Sequence, residues 1–207
     1  MDRAIIDLIS APRLARYGDI NDEATLEKYI FNIQLCESLY PALNLFEVVL
    51  RNKIDNVLSR HLGPNWLVEL VQRDKYLIDM HRIYDKNELI DRLTLAFWHQ
   101  LFLPSSREII WSRCPGALME IFEKRKKCLT LGKIAFEIDQ IRRCRNALSH
   151  HGSMVMTTQQ MNCQCVHDLA MRMIKEMGGK PVLRHIKPIN RFNAVVQSGR
   201  DLRYINY

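Results

Sequence analysis

The sequence predicts an all-α fold, and three observations support that class. Apolar residues recur at helical spacing through nearly the whole chain, and no stretch alternates between apolar and polar residues long enough to make a strand. Prolines and glycines fall between these periodic segments, where they would end helices. With 47% hydrophobic and 26% charged residues among 207, the chain has an ordinary globular composition and is long enough for one domain or at most two.

The predicted helices follow one another between these breaks. The first begins at Asn21 or Asp22 and ends at about Tyr40, because Pro41 suits the first position of a new helix. That second helix ends at Gly63-Pro64. Shorter helices are expected near 65–73, 86–102 and 116–128.

Two longer helices complete the predicted bundle. One covers 130–151, with Gly152 as its stop, and the other begins at 157 or 158 and ends at 177 before a Gly-Gly pair. Beyond them, two prolines and six Lys/Arg against one Asp predict an irregular basic tail. We therefore expect a helical domain over 1–177 and a basic C-terminal extension over 178–207.

The composition also limits the function classes. Six cysteines with no CxxC pair and no zinc spacing are too sparse for a disulfide scaffold, so we expect reduced thiols, no metal and no cofactor. The longest uncharged apolar-rich run, 93–106, is 14 residues, against the ~20 that span a bilayer. The N-terminus has no signal-peptide pattern. These features favour a soluble, cytoplasmic protein without a membrane partner.

The charge is divided unevenly along the chain. Residues 1–120 hold 14 Lys/Arg against 17 Asp/Glu, whereas residues 121–207 hold 16 against 6. A positive field over part of the surface suits a polyanion such as nucleic acid. A basic face that only keeps the protein in solution is the alternative.

The motif that carries chemistry is Arg-Asn-Ala-Leu-Ser-His-His at 145–151, the end of a predicted helix. On a helical wheel Arg145 falls inside the apolar stripe, where a guanidinium is costly unless it is paired or faces a polar cleft. Asn146 and His150 follow Arg142 on an adjoining stripe. Because Arg145 and His150 are roughly 140° apart, they meet over one phosphate only if the last turn distorts or another chain contributes.

These residue types suit RNA cleavage by the RNA's own 2′-hydroxyl, without a metal. Histidine titrates near neutrality and can move protons, and arginine is a permanent planar cation for the phosphate. Asn146 would position the substrate or His150. The alternative is a structural helix end, where Arg and His cations offset the negative end of the dipole.

A second polar row lies on an earlier predicted helix. Glu47, Arg51 and Asp55 follow one another at four-residue spacing, with Asn52 beside them. The row forms either a surface ladder of ion pairs or a polar surface next to the His150 end, where Glu47 would orient an arginine or a histidine.

Several cations near the motif would guide RNA electrostatically. They are Lys124, Arg125, Lys126, Lys127, Arg142 and Arg143. The first four could equally be a solvated helix face.

A series of short segments keeps the order and content of one known family. The segments are 9–14 with Tyr17, 29–32, 39–41, 45–52, Gly63 with Trp66, 93–98, 101–102 and 145–151. Together they resemble the abortive-infection (Abi-like, AbiD/AbiF) family, a branch of the HEPN superfamily of small helical ribonucleases, over roughly residues 9–152. Where relatives usually have a glutamate after the two histidines, this chain has Gly152, and Ala96 replaces a common glycine.

The resemblance implies a fold and a site. The fold would be a HEPN-like bundle with extra helices, and Arg145 and His150 would be the catalytic residues of the R-x4-H signature, with Asn146 beside them. His151 matches the second histidine of this branch. The polar row of Glu47, Arg51 and Asn52 matches that of relatives. HEPN ribonucleases are typically dimers with a composite site, so a homodimer is expected.

The sequence therefore leads to one expectation and two competitors. We expect a metal-independent endoribonuclease of a phage-defence or toxin–antitoxin system, with RNA as substrate and an RNA or protein antitoxin as partner. Relatives of the AbiF type are associated with small non-coding RNAs. The competitors are a non-catalytic protein that holds a structured non-coding RNA and a purely structural helical adaptor.

Overall fold

The computed structural model describes residues 1–72, 85–126, 129–155 and 162–201. Within these ranges every regular element is helical, which confirms the all-α prediction. In chain order the α-helices are α1 (Arg3–Ile9), α2 (Ala11–Leu14), α3 (Glu23–Leu62), α4 (Trp66–Gln72), α5 (Lys86–Arg92), α6 (Leu95–Gln100), α7 (Ala117–Ile121), α8 (Leu131–Ser149), α9 (Cys163–Glu176), α10 (Lys180–Ile186) and α11 (Phe192–Asp201). A 3-10 turn, Pro104–Ser106, and a π-helical turn, Arg107–Trp111, connect α6 to α7.

Helix α3 is continuous, so the predicted break at Pro41 is wrong. A proline inside a helix removes one hydrogen bond and costs roughly 3 kcal/mol. Apolar side chains on both sides of it are fully buried in the same core, among them Leu39 and Phe46. Each such burial contributes about 1.5–3 kcal/mol, and several of them outweigh the proline.

Helices α8 and α9 pack against α3 and against each other. Thr130 caps α8, accepting a hydrogen bond from the Lys133 amide, as the predicted start requires. Asn162 caps α9, whose helical residues begin at Cys163. The start predicted at 157 or 158 lies outside the described residues.

Two predicted helices are shorter or divided. The 86–102 segment forms α5 and α6, because Leu93 and Thr94 adopt extended backbone between them. Within 116–126, the described part of the predicted 116–128 helix, only α7 forms; it begins after the left-handed Gly116 and ends at Ile121, with Phe122 as its C-cap.

The C-terminal segment corrects the prediction of an irregular tail, because α10 and α11 are helices. Pro181 lies in the first turn of α10, where a missing N–H leaves no bond unmade. Phe192 and Val196 of α11 are buried, and this helix lies against α3. An ion pair of 2.7 Å between Arg191 and Glu37 reinforces that contact.

Candidate functional site

The end of α8 has a defined capping geometry. His150 is the C-cap residue, and His151 has a left-handed backbone with φ of +56°. The His151 amide donates to the Leu148 carbonyl at 3.1 Å, and the Gly152 amide donates to the Ala147 carbonyl at 2.7 Å. This pair of bonds is the Schellman motif. The helix therefore stops where predicted, but the left-handed residue is a histidine and not Gly152.

Gly152 has a different reason to be glycine. A Cβ atom at this position would lie 2.9 Å from the backbone oxygen of Ala147. The chain leaving α8 thus runs too close to the last turn for any side chain.

Arg145 and Glu47 bring the two polar regions of the sequence together. Arg145 Nε lies 3.6 Å from Glu47 Oε2 across the contact between α8 and α3. Arg145 continues the buried face that holds Ile138 and Ile141, but at the helix end its side chain is 41% exposed, while that of Glu47 is 15% exposed. Among the described residues Glu47 is the one ion-pair partner of Arg145, and the contact is made at Nε.

His150 and His151 are both exposed, and neither side chain has a hydrogen bond or ion pair within the described ranges. α8 remains helical through Ser149. Because His150 lies five positions after Arg145, with four residues between them, the helix keeps the ideal turn of roughly 140° between the two. A distorted last turn therefore does not bring them together in one chain.

Asn32 of α3 fastens the loop that follows the two histidines, and sequence reasoning missed this role. Its Oδ1 accepts hydrogen bonds from the Met154 amide at 2.6 Å and the Val155 amide at 3.3 Å, and its Nδ2 donates to the Gly152 carbonyl at 3.3 Å. The side chain is buried. The amide thus satisfies three backbone groups that would otherwise lie unpaired in the interior.

Tyr17 supports the same loop. Its buried phenol hydrogen-bonds with Ser153, and its ring packs edge-on against Tyr29 at 5.5 Å. Burial raises the pKa of Tyr17 despite that hydrogen bond. The segments that resemble the Abi-like family include Tyr17, Tyr29 and Asn32, so the sequence held a signal for these positions, but the signal indicated no role.

The ladder considered for the second polar row does not form. Arg51 Nη1 donates to the carbonyls of Ile90 and Asp91 at the end of α5, each at 3.3 Å. Asp55 instead accepts a hydrogen bond from Trp66 Nε1 at 2.9 Å. Arg51 thereby caps α5. Asn52 is exposed, about 140° around α3 from Glu47. Only Glu47 of the three predicted supporting residues in this row contacts Arg145.

Arg142 and Arg143 share one carboxylate. The Asp139 carboxylate accepts hydrogen bonds from Arg142 Nη2 and from Arg143 Nε, both at 2.6 Å. Burial raises the pKa of Asp139, but the two arginines outweigh it and hold that pKa below its usual range. Burial also lowers the pKa of the nearby His99. Asp139 therefore offsets half of the positive charge that Arg142 and Arg143 bring to this part of α8.

The basic run at 124–127 is divided by burial. Lys124 and Lys126 are exposed, as a guiding role would need, and Lys127 lies outside the described residues. Arg125 corrects the prediction. Its side chain is 4% exposed and holds Glu137 through two bonds, at 2.7 and 3.1 Å, with Glu176 at 3.3 Å. It is a structural cation.

Within the described ranges, no cluster of three His, Cys, Asp or Glu side chains has the arrangement of a metal site. In the same part of the chain, no helix has both the length and the apolar character needed to cross a membrane. Comparisons with protein-family models, with curated proteins and with solved structures find no match to this chain.

Proposed function

We propose that this chain is a metal-independent endoribonuclease of the HEPN type, acting in a phage-defence (abortive-infection) or toxin–antitoxin system. One observation carries the proposal: Glu47 holds Arg145 at the end of a helix that also ends in two exposed histidines. A guanidinium anchored through Nε keeps its two terminal nitrogens for a phosphate. An exposed imidazole about 1.4 helical turns further along the chain is open to proton exchange with a substrate.

In the proposed reaction the RNA supplies its own nucleophile. His150 takes the proton of the 2′-hydroxyl, and O2′ attacks the adjacent phosphorus. Arg145 stabilises the charge that develops on the phosphorane oxygens. The bond to O5′ breaks, and that oxygen leaves with a proton from a second general acid. The products are a 2′,3′-cyclic phosphate and a 5′-hydroxyl, and Asn146 would position the substrate or His150.

A homodimer completes this site in the proposal. Since one chain keeps Arg145 and His150 on different sides of α8, Arg145 of one copy would assist His150 of the other, and the second His150 would be the proton donor. Arg145 lies where the buried face of α8 reaches the surface, and a two-fold contact there would be self-complementary. Sedimentation of the protein with and without RNA tests this step, and a monomer in both conditions would contradict it.

The decisive experiment is cleavage of total RNA in EDTA, followed by analysis of the new ends. Wild type is expected to leave cyclic phosphates, whereas His150→Ala and Arg145→Ala lose cleavage by about 10²–10⁴-fold. Arg145→Lys keeps the positive charge but loses the planar guanidinium that can make two parallel hydrogen bonds to a phosphate, so it should retain only part of the activity. The matched control is His185→Ala, which removes an exposed histidine of α10. Cleavage that persists in His150→Ala would overturn the assignment.

A non-catalytic protein that holds a structured non-coding RNA is the second candidate. The separation of Arg145 from His150 around α8 favours it, because a single chain does not place both over one phosphate. It predicts a complex of unchanged RNA whose affinity is indifferent to His150→Ala. Stripping any co-purified RNA and repeating the cleavage assay separates it from an enzyme that its antitoxin RNA holds inactive.

A further inference from the structure

A cationic groove lies between α9 and α10, in the segment that the sequence left without a role. Its volume is about 470 Å³. Among the residues that the structure describes, four cations line it, Lys175, Lys180, Arg184 and Lys187, and no acidic residue does. All four are exposed. We call this the α9–α10 groove.

The four cations have no internal compensation. None of them makes an ion pair with any residue that the structure describes. The depression around Lys124 and Arg172 provides the contrast, since Glu137 and Glu176 line it and bind its arginines. Like charges gathered in a concave surface concentrate a positive potential and attract a polyanion. The α9–α10 groove is therefore the stronger candidate for an anionic ligand.

The groove is held in a fixed shape. Gly178 and Gly179 turn the chain directly from α9 into α10, and the Gly179 amide donates to the Ile174 carbonyl at 2.8 Å. Asn190 Nδ2 hydrogen-bonds with His167 Nε2 at 3.0 Å. The His167 ring stacks on Phe192, with ring centroids 4.5 Å apart. A groove whose backbone is already in place binds with a smaller ordering cost.

The remaining lining chooses between anionic ligands. Met171 and Leu183 add apolar lining, and Asn190 and Asn193 add side-chain amides. A strand of nucleic acid offers phosphates to cations, flat bases to an apolar lining and base edges to amides. A membrane surface is planar and does not enter a concave groove. We propose that the α9–α10 groove binds the phosphate backbone of single-stranded RNA, as a surface separate from Arg145 and His150.

This inference rests on the proposed function in taking RNA as the ligand, so the test measures binding apart from cleavage. A labelled 20-nucleotide RNA of mixed sequence is titrated in EDTA against full-length His150→Ala protein and against the same protein with the four groove cations changed to Gln. If the groove variant loses four phosphate contacts, the negative slope of log affinity against log salt becomes shallower by about 3. Affinity at low salt should fall by about ten-fold or more.

The matched control has the same loss of net charge elsewhere. It changes four exposed arginines to Gln: Arg3, Arg16, Arg107 and Arg113. Because both sets are exposed, thermal unfolding should be unchanged, and this is checked first. An equal loss of affinity in both variants, or unchanged RNA binding in the groove variant, overturns the proposal. So does RNA binding that stays unchanged while binding to phosphatidylserine vesicles is lost.

The two proposals fail in different ways. If wild type does not cleave stripped RNA but the groove variant still loses binding, the ribonuclease proposal fails and the groove stands. If wild type cleaves and the groove variant binds normally, the groove inference fails alone. With His150 intact, the groove variant is expected to cleave a dinucleotide at the wild-type rate and long RNA at least about ten-fold more slowly at low concentration.

Discussion

Helices α8 and α9 end in the same capping motif, with different residues. In α9 the left-handed position is Gly178, with φ of +84°, and Gly179 follows. In α8 it is His151, with φ of +56°, and Gly152 follows. Glycine reaches this conformation freely, whereas a side chain there is strained. The end of α8 therefore carries a strained residue, His151, directly beside His150. Other contacts must offset the free-energy cost of its left-handed backbone.

The two helix ends are also fastened differently. A charged clasp holds the end of α9: the Lys124 amide donates to the Glu176 carbonyl at 3.0 Å, and Arg125 binds the Glu176 carboxylate. A neutral amide, Asn32, holds the loop after α8. A neutral clasp fixes that loop without placing a charge beside His150, which exchanges protons in the proposed mechanism.

The largest effect should come from breaking the charged clasp. Arg125→Met leaves the buried carboxylate of Glu137 without its two shortest bonds, and loss of one partner of a buried pair costs about 3–5 kcal/mol. Urea unfolding measures the loss. The double variant Arg125→Met with Glu137→Gln removes the stranded charge and should regain part of it. A loss below about 1 kcal/mol, the range of surface pairs, would contradict the burial argument.

The same clasp predicts an acid dependence. Burial raises the pKa of Glu137, but the hydrogen bonds and charges of Arg125 and Arg172 outweigh it and hold that pKa below its usual value. A lowered carboxyl pKa contributes stability that is complete above the unfolded pKa of about 4.3 and is lost as pH falls through the folded value. Urea unfolding between pH 7 and pH 3 should show this loss in wild type and less of it in Arg125→Met. Equal acid dependence would contradict the assignment.

The neutral clasp should follow in size. Asn32→Ala leaves two buried amides and one carbonyl of the loop unpaired, and we expect a loss of about 2–3 kcal/mol. RNA cleavage should fall as well, because the loop that holds the two histidines in place is released. Asn44→Ala, on the exposed side of the same helix, is the matched control and should change neither. Wild-type cleavage by a destabilised Asn32→Ala protein would show that the loop has no positioning role.

The positions of the candidate residues on α8 were predictable because they depend on local periodicity. The helical wheel placed Arg145 on the buried face, and the four-residue spacing around Glu47 suggested a polar row that reaches the same end. The contacts that this row makes were not predictable, because Arg51 binds the end of α5 and Asp55 binds Trp66 of α4. Pairing across helices depends on packing, which a single sequence does not display.

Burial and continuity were the other failures. Arg125 belongs to a basic run that suggests a solvated face, yet its partners Glu137 and Glu176 lie 12 and 51 residues further along the chain. Asn32 meets its loop from 120 residues away. Pro41 is tolerated only because the core on both sides of it outweighs a local rule. In each case a tertiary contact decided what local chemistry left open.

Two glycines that lie close to backbone atoms, Gly179 and Gly152, should give intermediate effects. A Cβ at Gly179 would lie 2.6 Å from Ile174 Cγ2 and 2.9 Å from its carbonyl, and one at Gly152 would lie 2.9 Å from the Ala147 carbonyl. Overpacking costs about 1–3 kcal/mol, so we expect about 2 for Gly179→Ala and about 1 for Gly152→Ala. Gly132→Ala is the control, since nothing lies near its Cβ, and in a helix it should gain about 0.5–1 kcal/mol. Equal stability of all three variants would contradict the close approach.

The smallest effect tests the comparison directly, by giving α8 the residue that α9 already has. His151→Gly relieves about 1–2 kcal/mol of left-handed strain and adds about 0.4–1 kcal/mol of chain entropy to the unfolded state. We therefore expect a net gain of about 0.5–1 kcal/mol in urea unfolding, and the reverse sign for Gly178→Ala. RNA cleavage by His151→Gly should fall, because strain kept at a site commonly serves activity. His151→Asn, which tolerates the left-handed backbone, is the control for geometry alone. Cleavage equal to wild type in the stabilised glycine variant would mean that the histidine at this helix end is tolerated and not needed.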